Sequence, residues 1–277
     1  MFENIIGNED KVNILKEALN SNNISHAYLF EGAKGVGKKT IAEEFAKSIL
    51  KCDNLGSSPD YKYIKRFEDK KDILVDQIRK EIIDDIYIIP ASGDKKIYII
   101  DDAEFLNTAS QNALLKTLEE PPKYAVIILI ASNLNTFLPT ILSRVYKISF
   151  NPVNEDKLQE YILNKYNIKL SQDVLKYLNG SIGLAKEIVE NNLENKFKLI
   201  DELYVCIEQK DEITSLTKSS EIDFNDIKML EYLEFLMFSN LKYNCVNIVE
   251  KAKQRLKYNG NYDIVIDSMI LKIIQNM

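Results

Sequence analysis

Gly32-Ala33-Lys34-Gly35-Val36-Gly37-Lys38-Lys39-Thr40 has the glycine spacing of a loop that cradles phosphates. Glycines let backbone amides turn inward around an anion, and a helix opening after the loop adds favourable potential from its N-terminal end. Lys38 stands where a lysine reaches the outer phosphates. The next position, where a Ser or Thr hydroxyl would bind Mg²⁺, is Lys39. Thr40 comes one place late, and one residue along a helix turns a side chain by about 100°, so Thr40 cannot simply substitute. A second ammonium at the metal position also disfavours Mg²⁺. Two readings stand: a weak nucleotide site built from Gly32, Gly35, Gly37, Lys38, Lys39 and Thr40, or a loop that keeps its shape and holds nothing. A second candidate is the pair Asp101-Asp102, delivered by the apolar run Ile97-Tyr98-Ile99-Ile100. In a nucleotide-binding α/β domain an acidic group at such a strand end meets a metal-bound phosphate. The plainer alternative is that both aspartates cap the strand and bind the neighbouring helix.

These groups need strands and helices to hold them. Tyr28-Leu29-Phe30 leads into the glycine loop, and Ile41 to Leu50 repeats apolar residues at helical spacing. Ile97–Ile100 and Val126–Ile130 are continuous apolar runs of strand length, the pattern of strands buried on both faces. Strands alternating with helices imply a parallel α/β sheet. Between the last two runs the spacing predicts a helix, with Thr108 and Gln111 placed as a capping box and Pro121-Pro122 as its stop. After Asn151-Pro152-Val153-Asn154 the apolar spacing is helical to the end, broken at Gly180-Ser181-Ile182-Gly183. Asn191 to Asn195 reads as a polar linker, and Ile227, Leu230, Leu233, Leu236 and Met237 fall on one helical face.

Composition bounds the function. The chain has 277 residues, 45% hydrophobic and 28% charged, with net charge −6. A core is available, and the acidic balance argues against a free-standing DNA binder. Cys52, Cys206 and Cys245 are far apart and form no metal-ligand pattern, which suggests a reducing compartment. No apolar run approaches membrane-spanning length and the start lacks a signal-peptide pattern, so a cytoplasmic protein with no membrane partner is expected.

The segment from Asp101 through Ser110-Gln111-Asn112-Ala113-Leu114-Leu115-Lys116-Thr117-Leu118-Glu119-Glu120-Pro121-Pro122 resembles the one that AAA+ clamp-loader subunits of bacterial DNA polymerase III carry. The resemblance is clearest over residues 1–150 and points to the delta-prime branch of that family. It implies a P-loop α/β domain at 1–150, a small helical lid at 151–192 and an all-α oligomerisation (collar) domain at 193–277.

The resemblance also assigns roles residue by residue. Asp101 matches the Walker B aspartate, and Asp102 replaces the Glu of active relatives with a side chain about one methylene shorter. Ser132-Asn133 lies at sensor 1, where Asn133 would face a γ-phosphate. The sensor 2 stretch Gly180–Lys186 holds no arginine, and Lys186 is a poor substitute for a planar fork. Arg144, in Leu138-Pro139-Thr140-Ile141-Leu142-Ser143-Arg144-Val145, resembles the family's Ser-Arg-Cys arginine, which enters the adjacent subunit's ATP site; Val145 replaces the Cys as a packing residue. An ordinary surface ion pair is the alternative for Arg144. The lone Cys52 lies where relatives insert a four-cysteine zinc module, so no zinc is expected, and Pro59-Asp60 resembles the pair that follows it. His26, the only histidine, is expected to pack rather than react.

The expectation is a subunit that needs no cofactor, binds ATP and Mg²⁺ weakly if at all, and supplies Arg144 in trans. Its partners would be gamma/tau and delta subunits in a hetero-pentamer, and through them the sliding clamp and primed DNA. An active gamma-type ATPase and a nucleotide-independent scaffold outside replication are the alternatives.

Overall fold

The computed structural model describes Phe2 and residues 5–68, 70–258 and 260–277. The chain divides into two compact units, Met1–Leu158 with Gly180–Gly183, and Gln159–Asn179 with Leu184–Met277.

The first unit runs α1 (Glu9–Asn20), β1 (Ala27–Gly32), α2 (Lys38–Leu50), β2 (Tyr61–Ile64) and α3 (Val75–Ile78), which passes through a π-helical turn into α4 (Asp84–Ile86). It continues with β3 (Lys96–Ile100), α5 (Thr108–Glu119), β4 (Ala125–Ala131), α6 (Pro139–Leu142) and β5 (Tyr146–Phe150). The strands form one sheet in the order β2-β3-β4-β1-β5, every pair parallel. Side chains alternate across a strand, and here both faces are covered. Tyr28, Phe30, Ile97, Ile99, Val126, Ile128 and Ile130 enter a core with Ile41 and Phe45 of α2. Leu29, Tyr98, Ile100, Ile127 and Leu129 enter a second core with Leu114 and Leu118 of α5. That is why these runs carry no polar alternation. The edge strands β2 and β5 are short and mix Lys, Ser and Tyr with apolar residues, so the sequence reading named neither.

The start of α5 differs from the expected capping box. Asn107 is the N-cap and accepts a hydrogen bond from the Ser110 amide at 2.9 Å. Gln111 instead turns inward and is 2% exposed. Its amide nitrogen donates to the Leu106 and Thr136 carbonyls, both at 2.9 Å, and its oxygen accepts from the Leu138 amide at 2.8 Å. One side chain thus ties the loop after β3 to the loop after β4.

Two carboxylates fix the far side of the sheet. Asp60, 1% exposed, accepts from the Ala91 amide at 2.7 Å and from the amide and hydroxyl of Ser92, both at 2.8 Å. Asp85 pairs with Lys96 at 2.8 Å and Lys62 at 3.0 Å and accepts the Tyr98 hydroxyl at 2.7 Å. Burial works to raise the Asp85 carboxyl, but the bonds from Lys96, Tyr98 and Lys62 outweigh it and hold the group below its ordinary value.

The remaining helices are α7 (Glu155–Tyr166), α8 (Gln172–Leu178), α9 (Ile182–Glu190), α10 (Leu193–Glu208), α11 (Glu212–Ser219), α12 (Ile227–Ser239), α13 (Tyr243–Lys257) and α14 (Tyr262–Asn276). No strand occurs among the described residues of the second unit. The expected linker at Asn191–Asn195 is helix from Leu193 onward, because Leu193 is buried and Asn192 turns the chain in a left-handed conformation at φ 53°. On α12, Leu230, Leu233, Leu236 and Met237 are buried as read, whereas Ile227 at the first turn is exposed. Phe197 stacks on Tyr232 with ring centroids 4.3 Å apart, and the Tyr232 hydroxyl donates to Asp201 at 2.8 Å.

Candidate functional site

The adjacent central strands β3, β4 and β1 end on one edge of the sheet, the place where parallel α/β folds bind ligands. The glycine loop leaves β1 there and opens α2. Gly35 has φ +82°, and a Cβ on it would stand 2.0 Å from the Ser181 hydroxyl oxygen, so only glycine fits. The Gly183 amide donates to the Gly35 carbonyl at 2.9 Å. The turn read from sequence as a helix break therefore packs directly on the loop.

Lys38 is 6% exposed. Its ammonium donates to the carbonyls of Gly32 at 2.6 Å and Ala33 at 2.8 Å and lies 3.5 Å from the Ser132 hydroxyl. Burial pushes its pKa below the ordinary lysine value, against the opposing charges of Glu104, Asp101 and Asp102. Lys39 points elsewhere. Its ammonium sits 4.4 Å from the centroid of the Tyr63 ring and 3.9 Å from Glu43, and Thr40 is exposed.

Both oxygens of Asp101 are engaged. Tyr63 donates its hydroxyl to one at 2.5 Å, and the Asp102 amide donates to the other at 3.0 Å. Burial, reinforced by that bond, raises the Tyr63 phenol far above its ordinary value. Asp102 adopts φ 50°, ψ 42° and caps the short turn Ala103–Phe105. With a lysine in place of the hydroxyl residue expected there, turned towards Tyr63, and with Asp101 held by Tyr63, these side chains do not offer the donor set expected for a magnesium-bound triphosphate.

Sensor 1 is split. Asn133 is exposed and caps Leu134–Thr136, its side-chain oxygen accepting from the Asn135 amide at 2.9 Å, while Ser132 reaches Lys38. Glu104 was not singled out from the sequence. One of its oxygens accepts from the Ser132 amide at 3.3 Å, and the other is buried without a hydrogen-bond partner. Its place two residues beyond the aspartates was the only signal. Tyr63 escaped notice because it lies on the unread edge strand β2.

Arg144 follows α6. Its guanidinium pairs with Glu119 at 2.8 Å and donates to the Thr140 carbonyl at 2.8 Å and the Ser143 hydroxyl at 3.1 Å. The side chain is 33% exposed and Glu119 49% exposed. Val145 packs against the second core of the sheet, as a packing residue would. Lys186 lies 5.8 Å from the Tyr161 ring centroid. Among the described residues no group of three His, Cys, Asp or Glu side chains has metal-holding geometry. The three cysteines are free thiols, and the His26 ring nitrogen Nε2 is buried without a partner.

No helix among the described residues is long and apolar enough to cross a membrane. The sequence profile of the family described as "DNA polymerase III, delta subunit" matches residues 7–154. DNA polymerase III subunit gamma of Buchnera aphidicola subsp. Acyrthosiphon pisum is 35% identical over 70% of this chain and 60% of its own length. The gamma subunit of Buchnera aphidicola subsp. Schizaphis graminum is 28% identical over 99% of this chain and 95% of its own. The chain thus spans only 60% of the first of these relatives. A solved Thermotoga maritima protein, described as related to the DNA polymerase III gamma subunit, superposes with a TM-score of 0.61 at 18% identity, covering 96% of this chain and 99% of that one. It supports the fold, an AAA+-type α/β domain followed by helices. With the family profile covering residues 7–154, the whole sheet and the loop on its edge, the chain belongs to the DNA polymerase III clamp-loader subunits of the AAA+ class.

Proposed function

We propose that this chain is the delta-prime-type subunit of a clamp loader, an assisting subunit rather than a working ATPase. The observation that carries the reading is the pair Lys39 and Tyr63. The first replaces the metal-binding hydroxyl residue with a side chain that turns onto Tyr63, and the second occupies the aspartate that would hold the metal. The loop then serves as structure, with Lys38 tying its ends together. Residues 151–192 would act as the lid and 193–277 as the collar that assembles with gamma/tau and delta subunits into a hetero-pentamer. Through that complex, in the cytoplasm, the chain would meet the sliding clamp and primed DNA.

Arg144 supplies the catalytic part of this reading, in trans. Its pair with Glu119 is partly exposed, and such pairs are worth about 0–1 kcal/mol. An arginine finger contributes about 10³–10⁵ in rate, roughly 4–7 kcal/mol of barrier. Giving up Glu119 to reach a neighbour's phosphates is therefore a small cost. The gamma names of the two relatives favour a second reading, an active ATPase. Equilibrium binding of labelled ATP with and without Mg²⁺, together with turnover by the isolated chain and co-purification with gamma and delta subunits, separates the two. The proposal expects assembly without turnover; robust magnesium-dependent turnover that Lys38→Ala abolishes would replace it with the second reading.

A further inference from the structure

Helices α13 and α14, within the segment read above as the collar, enclose a cleft of about 590 Å³ to which no binding role has been assigned. On α13 the positions facing it run from Asn244 through Asn247, Ile248, Lys251 and Ala252 to Arg255, and on α14 from Val265 through Ser268, Met269 and Lys272 to Asn276. Each set follows the helical spacing of three and four, so both helices present one continuous stripe to the same groove. The Gly260 amide donates to the Arg255 carbonyl at 2.9 Å, which closes the end of α13 and fixes Arg255 at the mouth. A Cβ on Gly260 would stand 2.9 Å from that oxygen, so the turn depends on glycine.

The chemistry of the lining is one-sided. Lys251, Arg255 and Lys272 are cationic and no acidic side chain joins them, although the chain as a whole is −6. Among the described residues none of the three is in an ion pair; the lysine nearest in sequence, Lys253, is paired with Glu234 and Glu250 on another side of the helix. Beneath the cations lies an aliphatic floor, with Ala252 3%, Val265 7% and Met269 2% exposed. A cationic rim over an aliphatic floor is complementary to a helix with carboxylates flanking an apolar stripe.

We propose that this cleft docks an acidic amphipathic helix of a different protein. The stripe from Asn244 to Arg255 covers eleven residue steps, about 17 Å at 1.5 Å per residue, enough for roughly three turns of partner. A second copy of this chain is disfavoured, because a two-fold dimer through this face sets the cations of one copy against the same cations of the other. Single-stranded nucleic acid is disfavoured too. The lining holds no aromatic side chain on which a base could stack, and the aliphatic floor offers nothing to a phosphate backbone. The proposal does not depend on the role assigned above to Arg144 or to the glycine loop.

The test is selection from a phage-displayed library of random peptides against the 277-residue chain, followed by fluorescence anisotropy with the enriched peptides. The expected winners carry Asp or Glu around Leu, Ile, Phe or Met at helical spacing. Their binding should weaken by about tenfold or more in Lys251→Glu/Arg255→Glu/Lys272→Glu, and should fall between low and moderate salt as screened charges do. If the reversal variant loses its circular-dichroism signature, the triple alanine variant takes its place, with a smaller expected loss. Enriched peptides without acidic bias, or undiminished binding to both variants, would overturn the proposal. So would an oligothymidine that binds more tightly than the peptides and depends on the same three cations, which would make the cleft a nucleic-acid site. Concentration-dependent dimerisation lost in the same variants would make it a self-association face.

Discussion

Replacing Lys38 with methionine removes an ammonium that two backbone carbonyls share, and the size of the effect follows from that geometry. The bonds to Gly32 and Ala33 are short, 2.6 and 2.8 Å, and charge-assisted. Hydrogen bonds to a charged group contribute about 1.5–3 kcal/mol each. Burying the ammonium opposes this by several kcal/mol, and the same burial pushes the Lys38 pKa below the ordinary lysine value. Methionine restores most of the aliphatic stem but leaves two carbonyls unpaired beside the left-handed turns of Gly35 and Gly37. The balance is a destabilisation of about 2 kcal/mol, or about 4–8 °C in the unfolding midpoint of a unit this size. Thermal and urea unfolding of the isolated chain without nucleotide is the assay. A lysine kept for phosphates alone would leave nucleotide-free stability unchanged or raised on substitution, and that result would refute the structural role.

Asp85→Asn should cost about 3 kcal/mol at neutral pH, because it leaves the nearly buried Lys96 without its carboxylate. The Asp85 carboxyl is held below its ordinary 3.8, so its contribution is complete above that value and is lost as pH falls through the lowered one. The gap between wild type and variant should accordingly close in acid urea melts; a gap that widens there would contradict the assignment. Gln111→Ala should cost about 2–4 kcal/mol, since it frees two carbonyls and one amide around a side chain 2% exposed. Hydrogen exchange should speed at Leu138, and a neutral stability change would show that water replaces the side chain.

The sequence carried the centre of the fold and lost its edges. β1, β3 and β4 were legible because burial on both faces gives each a continuous apolar run. β2 and β5 were not, since an edge strand alternates weakly and β5 exposes three of its five residues. The glycine loop was legible by its spacing, Asp101 by the apolar run before it, and Arg144 only through the family resemblance. What they touch did not. That Tyr63 would fill the Asp101 site required knowing that β2 lies beside β3 in register, Tyr63 opposite Ile99. Gln111 looked like half of a capping box because the spacing is right; burial against two loops decided otherwise. The pairing of Arg144 with Glu119 joins the turn after α6 to the end of α5 and has no local signature.

The most direct test of the account is steady-state ATP turnover by a reconstituted loader carrying Arg144→Ala, stimulated by clamp and primed DNA, with assembly verified by size exclusion. One partly exposed guanidinium rarely decides a large interface, so the complex should form normally. Turnover should fall, in part rather than wholly where other subunits keep their own fingers, and Arg144→Lys should be impaired as well because a point charge does not reproduce the planar fork. Wild-type turnover by both variants in a fully assembled loader would contradict the claim that this chain acts through its neighbour.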